Sequence, residues 1–188
     1  MAWGDCVQYN LSTRFKDCKI QFYGKNNKVV IGNDCHISGA VLNLIGNDCS
    51  ISIGNNVTIN ASKAQPTVIN VVGEEKSINI GDNSLLSNNI EIHTSDYHGI
   101  YSKDSGERTN HDQSMYIGNN VWIGLRTIIL KGTHIGNGIV VGAGTIVSGH
   151  FEKENSIIAG VPAKYIKDDI IWDLSRDATP ESILGCEK

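Results

Sequence analysis

The stretch Ile117–Glu152 reads IGNNVW IGLRTI ILKGTH IGNGIV VGAGTI VSGHFE, six hexads in a row without a slip. The first position is Ile117, Ile123, Ile129, Ile135, Val141 and Val147, always β-branched. Gly118, Gly124, Gly136 and Gly142 fill four of the second positions. The fifth is Val121, Thr127, Thr133, Ile139, Thr145 and Phe151, mostly small or β-branched. An amphipathic helix repeats its apolar positions about every 3.6 residues and a strand about every two, so a period of six fits neither. It fits a parallel β-helix, in which each hexad is one short flat strand plus a corner. Three hexads close one triangular coil, and this stretch predicts two full coils.

Working outward, 188 residues suit one domain. Hydrophobic residues make up 40% but aromatic ones only 6%, as a narrow core filled by Ile and Val requires. The 20 glycines serve tight corners. With 16 basic and 20 acidic residues the formal charge is −4, which argues against a nucleic-acid groove. No run approaches the ~18 apolar residues of a membrane span, and the N-terminus MAWGDCVQYN has no signal-peptide pattern. The five cysteines are widely spaced and odd in number, and Cys35 and Cys49 take fifth positions. Free thiols in a cytoplasmic protein are the expectation.

The hexad pattern extends upstream less cleanly. Residues 1–28 are expected to form a cap, with KIQFYGKNNKVVIG as a strand, a turn and a strand opening an imperfect first coil. Residues 29–97 read as irregular coils. The phase slips between Ile51 and Ile53, predicting a looser corner there, and weakens over Ala61–Lys76. Residues 98–116 are polar and aperiodic, an excursion loop whose length points to function. Regular coils run over 117–165. Ile166, Ile170, Ile171 and Leu174 have helical spacing, so 166–188 is expected to hold a short helix, with Trp172 packed on the coil end, and a tail.

The ordered elements TSDYHGIY, IGNNVWIG, VVGAGTIVSG and AGVPAKYIK resemble the hexapeptide-repeat acyltransferases, and most of all those that O-acetylate sugars and sialic-acid capsules. The resemblance implies an all-β, left-handed parallel β-helix, a homotrimer with active sites between subunits, acetyl-CoA as co-substrate and a sugar or polysaccharide acceptor. Handedness rests on the resemblance alone, since ordinary crossovers are right-handed.

Moving an acetyl group from a thioester to a hydroxyl needs a base, donors for the oxyanion and a slot for the pantetheine arm. An unperturbed imidazole titrates near neutrality and suits the first task. Backbone N–H groups suit the second. A lone histidine in a polar loop is by default a surface group, but His98 matches the family's catalytic histidine and is the candidate base. Asp96 either orients it, binds the acceptor or is merely solvated. His93 is a rival, expected to face outward from its hexad. His111 lies deep in the loop, and His36, His134 and His150 read as structural or exposed.

Trp122 matches a family tryptophan that shapes the pocket; alternatively it packs between subunits. The N–H groups of Gly124 and Leu125 are candidates for the acetyl carbonyl. Gly142 and Ala143 lie one coil above Gly124 and should stack on it to floor a cofactor groove, with Ser148 continuing the line. Lys164 and Lys167 are placed to meet the CoA phosphates, or are simply solvated. No metal site is expected, because the loop lacks ligand spacing. Two alternatives remain open: N-acetylation of an amino sugar or antibiotic, and a scaffold without catalysis.

Overall fold

In the computed structural model, which describes residues 4–175, 178, 179 and 182, the chain winds a three-sided, left-handed parallel β-helix. The first face stacks β1 (Cys6–Tyr9), β4 (Lys28–Ile31), β7 (Ser50–Ile53), β10 (Ser77–Ile80), β13 (Met115–Ile117), β16 (His134–Ile135) and β19 (His150–Phe151). The second stacks β2 (Arg14–Lys16), β5 (His36–Ser38), β8 (Thr58–Asn60), β11 (Leu85–Leu86), β14 (Trp122–Ile123), β17 (Val140–Val141) and β20 (Ile157–Ala159), with β21 (Lys164–Lys167) antiparallel on its edge. The third stacks β3 (Lys19–Tyr23), β6 (Ala40–Ile45), β9 (Thr67–Val72), β12 (Glu91–His93), β15 (Ile128–Ile129) and β18 (Ile146–Val147).

The hexads behave as read. All six first-position residues from Ile117 to Val147 are fully buried. The stretch closes two coils, with Tyr116 paired to His134, Trp122 to Val140 and Ile128 to Ile146. The fifth positions also point inward, which leaves a hydroxyl to satisfy wherever Thr stands there. Each turns back to the corner before it: Thr127 Oγ1 donates to Gly124 O (2.8 Å), Thr133 to Leu130 O (2.6 Å) and Thr145 to Gly142 O (2.6 Å). Cys35 and Cys49 fill the same kind of slot, and burial raises both thiols.

The corner between the first and second faces explains the repeated Asn-Asn and Asn-Asp pairs. Its turning residue has positive φ at Asp34, Asn56, Asn83, Asn120 and Gly138, a conformation Asn, Asp and Gly tolerate. The residue before it accepts a backbone N–H from the coil below, as in Asn33 N to Asn55 Oδ1 (2.9 Å), Asn55 N to Asp82 Oδ1 (2.7 Å) and Asp82 N to Asn119 Oδ1 (2.8 Å).

Three expectations change. The region read as a cap already winds, since β1, β2 and β3 lie on the three faces. The slip at Ile51 and Ile53 is no loose corner: both side chains point inward from one strand, β7, because the lower coils use longer strands with alternate residues buried. The helix expected from Ile166 onward does not form over 166–175. After Gly160 the chain reverses, and Lys164–Lys167 pairs with the exposed edge of β20. An open edge offers a row of unpaired backbone groups, which the helical spacing of these isoleucines does not outweigh. The rest of the expected tail lies outside the described residues.

Candidate active site

The excursion leaves after β12, at the corner between the third and first faces, and returns at β13. Its neck is closed by Gln113 N donating to Thr94 O (2.9 Å). It is not structureless: Tyr101 and Arg108 bridge antiparallel, and Ser102 N donates to Glu107 O (2.8 Å). Asn110 is its hub. The Asn110 Nδ2 donates to Asp96 Oδ2 and to His98 O, both at 2.8 Å, while its Oδ1 accepts from Ile100 N (2.6 Å).

Lys131, on the next coil, clamps this hub to the prism. Its Nζ donates to Asp96 Oδ2 (2.5 Å) and to Asn110 O (2.9 Å). The hydrogen bond from Lys131, then that from Asn110, hold the Asp96 carboxyl below its ordinary range. Asp96 is thus engaged in anchoring the loop. His98 is exposed, with its N–H donating to Asp96 O (2.7 Å), and its imidazole makes no hydrogen bond among the described residues. Both backbone ends of this residue are pinned while its ring is left available. His93, the rival, is held on the third face between Asn70 and Glu91, each at 3.2 Å.

Trp122 opens β14 and points outward, 38% exposed. Its indole lies 5.9 Å from that of Trp172, whose Nε1 donates to Asn120 O (2.5 Å). Residues 168–175 therefore run as a strap down the corner between the first and second faces, where a helix had been expected. Sequence reasoning missed Asn110, Lys131 and Trp172 as site residues. Lys131 sits in a regular hexad, and nothing in its spacing sets it apart.

The expected cofactor residues divide. Gly124 stacks on Gly142, where a Cβ would meet Val141 O and Ala143 N at 2.7 Å. The column continues to Ala159, which a Cβ on Gly142 would meet at 2.9 Å. Ser148 follows β18 on the third face and does not join it. Lys164 pairs with Ala159 at the head of the column, and Lys167 lies further along, opposite Ile157. The Gly124 N–H donates to Val141 O (2.9 Å) and is spent on the ladder. Leu125 N–H and Ala143 N–H, at the exposed corner between the second and third faces, make no hydrogen bond among the described residues.

Within one chain, then, Trp122, Gly124, Leu125, Gly142, Ala143 and Lys164 share the second face and its margin. His98 does not join them. Its loop hangs from the corner between the third and first faces, and the whole width of the first face separates it from Trp122.

Residues 115–148 match the family model described as the hexapeptide repeat of succinyl-transferase. A polysialic acid O-acetyltransferase of Neisseria meningitidis is 37% identical over 164 residues, covering 79% of this chain and 76% of the relative. The crystal structure of the polysialic acid O-acetyltransferase OatWY superposes with a TM-score of 0.74 at 30% identity, over 96% of this chain and 92% of that one. That of the polySia-specific acetyltransferase NeuO gives 0.72 at 27% identity, over 93% and 81%. On its coils, its excursion loop and this likeness over most of its length, the chain belongs to the hexapeptide-repeat acyltransferases, on their O-acetyltransferase branch.

Proposed function

We propose that this chain transfers acetyl from acetyl-CoA to a hydroxyl of a sialic-acid-containing or related surface polysaccharide, in an active site shared by two subunits of a cytoplasmic homotrimer. The observation that carries the shared site is the separation of His98 from Trp122 on one chain. The outer surfaces of the faces support the same assembly. The second carries Leu85, Trp122, Val140 and Ile157, and the third carries Val41, Val68, Ile128 and Ile146 with Glu91 between Val68 and Ile128, while the first carries Val30, Ser52, Asn79, Tyr116, His134 and His150 and is the most polar of the three. Turning the two apolar faces toward neighbours around a threefold axis buries them. It also sets the His98 corner of one subunit beside the Trp122 corner of the next.

The residues then divide the work. His98 takes the proton from the acceptor hydroxyl as its oxygen attacks the thioester carbonyl, and returns it to the departing sulfur. The Leu125 N–H is available for the oxyanion. The column Gly124, Gly142 and Ala159, bare of side chains, fits the pantetheine arm, and Lys164 and Lys167 lie at its head for the phosphates. Asp96, Asn110 and Lys131 hold the loop in position. Transfer is direct: among the described residues Cys35 and Cys49 are buried in the core, and Cys6 and Cys18 lie in the first coil, several coils below Trp122 and the His98 loop.

The test is incubation with acetyl-CoA and oligosialic acid, followed by mass spectrometry. An acetyl group gained by the sugar and removed by mild alkali is expected. An alkali-stable product on an amino sugar, or no transfer to any glycan in a panel, contradicts the reading.

A further inference from the structure

The first face carries a feature that the chemistry above does not use. Tyr116, His134 and His150 are register partners on β13, β16 and β19 and point outward. Their rings form a ladder: Tyr116 and His134 have centroids 4.7 Å apart, and His134 and His150 have centroids 5.9 Å apart. The ladder walls an open groove of about 250 Å³ whose remaining lining includes Ser77, Asn79 and Ser114. The strands do not need these rings, since their core positions are filled by Met115, Ile117, Ile135 and Phe151. One and two coils lower the same register holds only Asn79 and Ser52.

We propose that this ladder is a binding platform for sugar rings of the acceptor chain, outside the catalytic pocket. Aromatic faces carry negative charge density and attract the polarised C–H groups of a pyranose face. Hydroxyl and amide groups beside them suit the ring hydroxyls, the pattern of a few polar groups around an apolar surface that marks small-ligand sites. Strands in neighbouring coils lie ~4.8 Å apart, so the ladder is longer than a single sugar ring and fits a chain.

Its place argues for the acceptor over any other glycan. Ser114 and Tyr116 are where the His98 loop rejoins the prism, and Gly132 in the groove wall follows Lys131, the loop's clamp. A chain on the ladder therefore leads to the base of that loop. Glu152 Oε2 lies 3.4 Å from Nε2 of His134, the middle ring, so an acidic chain seats here with its carboxylates turned away from the ladder. This platform rests on the shared-site reading, in which the first face stays outward in the trimer.

The experiment is titration of the intact protein, without acetyl-CoA, with oligosialic acid of about eight units and with a neutral dextran, beside kinetics on long and short acceptors. Tyr116→Ala and His134→Ala are expected to weaken chain binding about tenfold and to raise KM for the long acceptor equally. The kcat, the KM for acetyl-CoA and turnover of a single-sugar acceptor stay at wild-type values. A wild type that acetylates glycans yet binds chains no more weakly after either substitution overturns the platform and leaves the catalytic reading intact. Loss of single-sugar turnover in both variants overturns it too, by placing these rings in the catalytic pocket. Preference for dextran over oligosialic acid in the wild type contradicts an acidic chain as the occupant. A wild type that neither binds nor acetylates any glycan removes both readings together.

Discussion

The two edges that border the first face contrast in how they are built. One, where the third face meets the first, throws out a long loop and holds it with side chains: Asn110 bonded to Asp96 and His98, and Lys131 bonded to Asp96 and Asn110. The other, where the first meets the second, is made by the hexads themselves, with stacked Asn and Asp side chains, and the strap through Trp172 lies over it. The first presents a histidine with its ring available. The second presents an indole, and from it the second face leads across to the column of small residues at Gly124 and Gly142. Neither edge alone holds a base, a pocket wall and a place for the thioester, and the contrast supports the proposal that each chain displays the two halves of one site to opposite neighbours.

Breaking either half should be costly, the base most of all. His98→Ala is expected to lower kcat by about 10²–10⁴, with acetyl-CoA binding by calorimetry and trimer mass by light scattering unchanged. Near-wild-type turnover would remove His98 from the base role. Loosening the loop should cost less. Lys131→Met removes the clamp without touching the sugar or the thioester, and roughly a tenfold loss in kcat is expected on the scale of misplaced catalytic groups. Its KM for acetyl-CoA should not move. An unchanged kcat would mean that the loop is held by the neighbouring subunit.

The same clamp sets a pH limit. The Asp96 carboxyl is held below its ordinary range by Lys131, so its contribution is complete above the unfolded value of about 3.9 and is lost as pH falls through the depressed one. Proteolysis of the loop should thus be flat from neutral pH down to roughly pH 4 and rise only below it. A rise near pH 6 would assign the control to another group. On the opposite edge, Trp172→Ala removes an aromatic pair worth about 0.5–1.5 kcal/mol, and a small drop in Tm with a few-fold change in kcat is expected. A complete loss of activity would make the strap part of the catalytic pocket itself.

How far the sequence could be read follows the same division. Ile117–Glu152 is legible because each face there is a two-residue strand, so inward residues recur every six. Below it, β6 and β9 each run six residues, and successive coils are 22 or 27 residues apart. The core side chains then alternate within a strand, as Ile51 and Ile53 do, and the hexad phase is lost. The loop was visible as a break in the period, but not its hub, since Asn110 and Lys131 meet only when the chain has turned through another coil. Ile166 and its neighbours carried a helical spacing that the open edge of β20 overrode. Trp122 and His98 can be proposed from the sequence, yet their separation on one chain cannot be read there, because it depends on the corner at which each coil places them.

Complementation between two inactive variants tests the shared site most directly. His98→Ala and Trp122→Ala subunits, each inactive alone, are unfolded together in equal amounts and refolded into mixed trimers. If each site takes its histidine from one subunit and its tryptophan from the next, about a quarter of the sites in randomly mixed rings are intact, and that share of wild-type activity should return. If both residues of a site come from the same chain, no intact site can form, and mixed trimers as inactive as their parents would contradict the shared site.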